Sequence, residues 1–208
     1  NQLYKTQIPP FFMQLILASN SWIRTMLFDK LKIQYTKDPP QLDEEALEAI
    51  YTDPKERVVK LSEAKAQALL PKYKGQDYLI IGSDSQNLRN GVSYGKPKTK
   101  EEAFTMIKSA SGSRDTQISG WCLINAKTGQ QWSGYDELHF DYLEMDDNAI
   151  WDYVNNPINK TFLCSGGFDI GSSFYLRHCA RVEGSHGMFH AIPMEKIIPI
   201  LQQNGFEI

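Results

Sequence analysis

Apolar positions along the chain fall into short continuous runs that alternate with longer stretches of helical periodicity. Residues 15–18 form an apolar run too short for a helix, which reads as a buried strand. It passes into Ser19-Asn20-Ser21, after which Trp22, Ile23, Met26, Leu27 and Leu31 recur at helical spacing and predict a helix with one buried face. Asp53, Pro54 and Glu56 spell a capped helix start, and the pattern runs to about Leu70 with Lys65 near its far end. Residues 78–82 read as a buried central strand with Asp84 just past its end. Thr99 and Glu102 announce a further helix carrying Ala103, Met106 and Ile107 on one side. Strands are predicted around 118–125 and 131–140, a helix over 148–154 and a strand over 174–182. A last helix starts near Pro193, and Pro199 is expected to kink or shorten it.

Strands interleaved with helices favour an α/β architecture with a mixed sheet. With 208 residues and 41% hydrophobic content the chain can bury a sizeable core, and no internal repeat or low-complexity tract calls for a second domain. Residues 1–12, with Pro9-Pro10, read as an extension or a remnant ahead of one domain over 13–208. A net charge of -3 argues against nucleic acid or an anionic membrane as partner, so an anionic ligand must be met by a local basic pocket. Three cysteines, Cys122, Cys164 and Cys179, lack close paired spacing, which fits a reduced, cytoplasmic protein. The apolar runs are too short to cross a bilayer.

The candidate chemistry begins where the first strand ends. Unpaired N–H groups and the positive end of a helix dipole meet the hydroxyls of Ser19 and Ser21 and the guanidinium of Arg24, a combination that suits a phosphate. Two carboxylates, Glu44 and Asp84, and two further cations, Lys65 and Lys96, stand at predicted element ends. Carboxylates that hold a divalent cation, beside cations that neutralise a leaving group, are what phosphoanhydride hydrolysis requires, and one carboxylate can also act as general base. Taken singly each residue also reads as ordinary structure: Asp84 as a turn cap, Glu44 as a solvated acid, Lys65 and Lys96 as surface lysines. His186 and His190 have the spacing of a zinc pair on a helix, but Gly184 and Gly187 weaken a helix there, so packing or substrate contact is favoured. Cys164-Ser165-Gly166-Gly167 lacks the frame of a nucleophile turn, and its glycines are expected to permit close backbone approach. The acids from Asp136 to Asp147 read as a solvated rim.

Taken in order, these landmarks resemble the Maf family of nucleoside triphosphate pyrophosphatases, relatives in fold of the inosine triphosphatases. The family's opening L-I-L-A-S-x-S-P-x-R stands here as residues 15–24, its D-E as Asp43-Glu44, and its E-K-A, with one residue altered, as Glu63-Ala64-Lys65-Ala66. Its G-[AS]-D stands as Gly82-Ser83-Asp84 and its G-K-P as Gly95-Lys96-Pro97. Ser111-Gly112, Ser119-Gly120, Phe140, Glu183-Gly184-Ser185 and Ile192-Pro193 match later family positions, so the resemblance runs from Met13 to the C-terminus.

The resemblance implies two lobes around an elongated mixed sheet flanked by helices, with an active-site cleft between them. It implies Asp84 as principal catalytic carboxylate and Glu44 as its partner on a divalent cation, Mg2+ or Mn2+. Ser19, Ser21, Arg24, Lys65 and Lys96 would grip the triphosphate. The implied reaction hydrolyses a nucleoside triphosphate to the monophosphate and pyrophosphate, with a homodimer among the assemblies left open. Ile23, where the dTTP/UTP branch has a second arginine, favours the 7-methyl-GTP branch and a modified purine substrate. The alternatives are a dTTP/UTP-type pyrophosphatase and a nucleotide-binding protein without turnover. The chain departs from the family at Trp22, which replaces a proline, at Thr25, at 186–190, and at Gly171, where neither the glutamine nor the acid of the two branches stands.

Overall fold

The structure, a computed structural model, describes residues 13–208, so the extension expected over 1–12 lies outside the described residues. β1 (Gln14–Leu17) is the first apolar run and α1 (Trp22–Lys30) follows it. β2 (Thr36–Lys37) is a two-residue edge, and α2 (Glu44–Ile50) starts at Asp43, whose side chain accepts the Ala46 N–H. α3 (Pro54–Tyr73) begins as its sequence predicts, with the Asp53 carboxylate accepting the Glu56 N–H at 2.8 Å and Pro54 where an N–H would lack an intrahelical acceptor. β3 (Tyr78–Arg89) turns into β4 (Val92–Tyr94) through Asn90-Gly91, both at the positive φ that a two-residue hairpin demands. α4 (Lys100–Ala110) is capped by Thr99, and β5 (Arg114–Asn125), β6 (Gln131–Tyr142) and α5 (Asp147–Asn155) come next. Two 3-10 turns, Thr161–Leu163 and Ser165–Gly167, lead to α6 (Ser173–His178) and β7 (Cys179–Gly184). A third turn, His186–His190, precedes α7 (Met194–Gln203).

The strands of the described residues make one seven-stranded sheet in the order β2-β1-β3-β5-β6-β7, with β4 on β3. β1 runs parallel to β2 and β3 while the remaining pairs are antiparallel, so the fold is α/β with a mixed sheet flanked by helices, as expected. Strand alternation sends Leu15, Leu17, Leu79 and Ile81 against α1 and α7, and Ile16, Ile80, Cys122 and Ile124 against α3. A separate core forms where Leu138, Phe140 and Tyr142 of β6 meet α4, α5 and α6. The first two cores, on opposite faces of the sheet, make one lobe and the third makes the other.

Four local expectations are corrected. α1 buries Arg24, Leu27 and Phe28 rather than the full predicted stripe, and Met26 is 41% exposed. Asp84 lies inside β3, not past its end, because β5 pairs with β3 from Leu79 to Leu88 whereas β1 stops opposite Ile81. The strand expected over 174–182 is a helix followed by a strand: Ser172 caps α6 by accepting the Tyr175 N–H, and extended pairing begins only at Cys179. Of the kink or shortening expected at Pro199, the shortening does not occur, since α7 continues to Gln203.

The arrangement of β3 decides where a site can form. Between the end of β1 and the return of β4 at Asn87, the outer edge of β3 has no neighbouring strand among the described residues. α3 lies directly on the inner strands there. A Cβ on Gly82 would come within 2.3 Å of the Ser62 carbonyl oxygen, and one on Gly120 within 2.1 Å of that of Val58. The Ser62 hydroxyl donates to Val58 O at 2.6 Å and accepts the Asp84 N–H at 2.9 Å, so a main-chain donor that the sheet leaves unpaired is met by the helix.

Candidate active site

A cleft of about 530 Å³ opens along this free edge and reaches between the two lobes, a size that suits a nucleotide. It is lined by Ser19, Ser21, Arg24, Glu44, Lys65, Asp84 and Lys96, so the structure brings together all seven residues singled out in the sequence. Ile23 and Trp22 line it as well, with the Lys160 ammonium 4.2 Å from the centre of the Trp22 ring.

On the α1 side, Ser21 is the N-cap of the helix but its side chain caps no N–H, which leaves the first-turn donors of α1 uncovered. Arg24 is 6% exposed, and its three hydrogen bonds all end on neutral oxygens: Nε on Ala191 O at 3.1 Å, Nη1 on Ser19 Oγ at 3.2 Å and Nη2 on Ser85 Oγ at 3.2 Å. Burial lowers its pKa from the ordinary arginine value, against the pull of Asp84 and Glu44, and a guanidinium stays charged under any such shift. Ala191 adopts a left-handed conformation, φ 57°, and its carbonyl also accepts from Ser83 Oγ at 3.3 Å, so two side chains hold a backbone geometry that costs about 1 kcal/mol or more.

On the α3 side, Lys65 Nζ donates to Asp84 Oδ1 at 2.6 Å and stands 2.8 Å from Glu44 Oε2. Lys65 and Asp84 are largely buried whereas Glu44 is half exposed at the lip of the cleft. Glu48, one turn along α2, extends the acidic group: burial pushes its carboxyl up, and the charges of Asp84 and Glu44 add to the push. Lys96 stands exposed on the far rim, in the loop between β4 and α4, with no ion pair to a described carboxylate.

The far half of the cleft was not anticipated. It is walled by Phe140, Tyr142, Phe168 and Phe189 and carries three polar residues of β3 and β5, Asn87, Asp115 and Gln117. Asp115 forms a buried bidentate pair with Arg89, whose Nη2 lies 2.6 Å from Asp115 Oδ2. Single polar residues within strands carry no spacing signal, so only strand alternation together with the aromatic wall marks them as facing a cavity.

The motifs set aside in the sequence behave as ordinary structure. His186 and His190 lie on a 3-10 turn, His186 packs edge-on against Phe189 at 5.5 Å, and no three His, Cys, Asp or Glu side chains among the described residues are arranged to hold a metal. Burial pushes the Cys164 thiol up to about 11, so it is not a thiolate nucleophile at neutral pH. Gly166 and Gly167 answer a demand on φ, +73° and +81°, rather than on space: a Cβ on either would meet nothing closer than 3.4 Å. Of the six acids expected to form a solvated rim none is buried, and three are ion-paired: Glu137 with Lys55 at 3.1 Å, Asp141 with Arg114 at 2.6 Å and Asp147 with Lys108 at 2.5 Å. No helix among the described residues is long and apolar enough to cross a membrane.

The chain is 30% identical over 199 residues to a 7-methyl-GTP pyrophosphatase of Vibrio vulnificus, a match that covers 94% of this chain and 97% of the relative. It is 33% identical over 154 residues to a 7-methyl-GTP pyrophosphatase of Alcanivorax borkumensis, covering 74% of this chain and 75% of the relative. Among solved structures, a HAM1 protein from Coxiella burnetii matches with a TM-score of 0.40 and 14% identity over 63% of this chain and 73% of that one. The family model described as Maf-like protein matches residues 14–204. The chain therefore belongs to the Maf-like protein family.

Proposed function

We propose that the protein hydrolyses a nucleoside triphosphate to the nucleoside monophosphate and pyrophosphate, with a modified purine such as 7-methyl-GTP as preferred substrate. The observation that carries this reading is the division of charge across one cleft: a buried guanidinium held by neutral oxygens faces two carboxylates clasped by a lysine. The names of the two relatives support the reaction class and the substrate, and Ile23 in the cleft wall is in keeping with a flat purine.

Ser19, Ser21 and Arg24, with the first-turn N–H groups of α1, bind the phosphate chain, and Lys96 closes on it from the opposite rim. Water attacks the α-phosphorus, the bond to the bridging oxygen of the β-phosphate breaks, and pyrophosphate departs with its charge met by Arg24 and the lysines. Asp84 and Glu44, each with one oxygen that Lys65 does not engage, are the carboxylates placed to take the proton of the attacking water.

Glu44 and Asp84 would hold Mg2+ or Mn2+. The donor set fits such a cation, because Glu44 at the lip and Asp84 deeper in the cleft each keep one carboxylate oxygen that Lys65 does not engage, with the Glu48 carboxylate in electrostatic reach. When bound, the cation supplies charge compensation to the phosphate oxygens. Two ligands rather than a closed cage suit an ion that keeps waters and binds substrate phosphates.

Pyrophosphate release from a panel of nucleoside triphosphates, with and without Mg2+ or Mn2+, tests the reading. Turnover that requires the cation and falls by several orders of magnitude in a folded Asp84→Asn protein is the expected result. Binding without turnover across the whole panel would overturn it.

A further inference from the structure

Asn87 and Gln117 are direct cross-strand partners in β3 and β5, so their side chains leave the same face of the sheet, and both line the aromatic half of the cleft. Each carboxamide is anchored by its nitrogen. Asn87 Nδ2 donates to the main-chain oxygen of Ser165 at 2.8 Å, and Gln117 Nε2 donates to that of Met188 at 2.8 Å and lies 3.5 Å from Ser119 Oγ. Turning either amide around would set two carbonyl oxygens against each other, so the orientation is fixed by its surroundings. The consequence is a pair of acceptors, Asn87 Oδ1 and Gln117 Oε1, that no described residue bonds and that are not sealed from the cavity. Asp115, beside them, has both carboxylate oxygens committed to Arg89.

We propose that Asn87 and Gln117 set base specificity by presenting two neighbouring acceptors to a base edge with two neighbouring donors. Of the common bases only guanine has such an edge, its N1–H beside its 2-amino group, and methylation at N7 leaves that edge intact. Uracil, thymine and hypoxanthine offer a ring N–H next to a carbonyl or a C–H, and would leave one acceptor buried without a donor. The ring itself stacks within the wall of Phe140, Tyr142, Phe168 and Phe189. This assignment rests on the nucleotide pyrophosphatase reading, and its test is separable from the test of turnover.

The test is the ratio of GMP to IMP affinity, read by calorimetry on the wild-type protein and on Gln117→Met and Asn87→Leu. These monophosphates differ only in the 2-amino group and need no turnover. The wild type is expected to favour GMP by about tenfold or more, and the preference should shrink to about twofold or less in at least one variant. Loss of the Ser165 or Met188 anchor alone would weaken GMP and IMP equally and leave the ratio unmoved. A wild-type ratio near one, a failure of GMP to bind, or a ratio preserved in both variants overturns the assignment. Absence of pyrophosphate release with the ratio and its collapse intact would strike the proposed activity and leave the base-reading residues standing.

Discussion

Burying a guanidinium costs several kcal/mol unless counter-charge and hydrogen bonds offset it, and at Arg24 the hydrogen bonds end on neutral oxygens while the charges of Asp84 and Glu44 act without direct contact. Such a cation is pre-aimed: its three acceptors fix the planar fork before a ligand arrives, so little side-chain entropy remains to be lost on binding. Phosphate geometry matches the fork in two places at once, which an ammonium cannot reproduce. Arg24→Ala is therefore expected to lower nucleotide affinity and kcat/KM by about a hundredfold, and Arg24→Lys by an intermediate amount. Nucleotide titration and initial rates on the three proteins check this, and equal values for Arg24→Ala and wild type would show that the phosphates lie elsewhere.

The elements explain why some of this was readable beforehand. Asp53 with Pro54, Thr99 with Glu102 and the apolar run of β3 are local signals whose physics acts within a few residues, and the structure places α3, α4 and β3 where they predict. The length of β3 was not local information, because it depends on the reach of β5, and so the free edge on which Asp84 lies could not be seen from residues 78–84. α6 was misread for a similar reason. Phe174 and Tyr175 carry strand propensity, yet Ser172 nucleates one helical turn that stacks them against the second core. Charged landmarks of the site were legible as a set, whereas Asn87 and Gln117 gain meaning only from their pairing across strands. Packing of α3 on the sheet carries a prediction of its own. A methyl group on Gly82 would meet Ser62 O at 2.3 Å and Ala66 N at 2.9 Å, both backbone atoms that cannot rotate aside, so Gly82→Ala must displace α3 or β3. A loss of about 2 kcal/mol, seen as a fall in Tm of roughly 4–8 °C, is expected, with reduced turnover because Lys65 shares the displaced helix. Unchanged Tm and rate would mean that α3 sits further from the sheet in solution.

At the scale of the whole molecule, recognition is divided between the two lobes on the proposed reading. The residues proposed to bind phosphate come from α1, from α3 and, for Lys96, from the loop after β4, while the aromatic wall belongs to β6 and to the segments packed on the second core. On that reading a substrate spans the cleft, with its triphosphate at the open edge and its base against the rings. Ile23, beside the buried arginine, adds apolar surface where a second arginine would add charge and donors suited to a pyrimidine carbonyl. Gly171, in the loop before α6, offers no side chain to read a base, and its N–H is held by Asp169 Oδ1 at 3.0 Å, so discrimination falls to shape, stacking and the two free acceptors. We expect 7-methyl-GTP or GTP to be hydrolysed with higher kcat/KM than dTTP or UTP. Shape and stacking alone supply about 1–3 kcal/mol, a ratio between roughly ten and two hundred. Side-by-side kcat/KM on the four nucleotides decides the matter, and a clear preference for dTTP or UTP would mean that the aromatic half of the cleft does not receive the base.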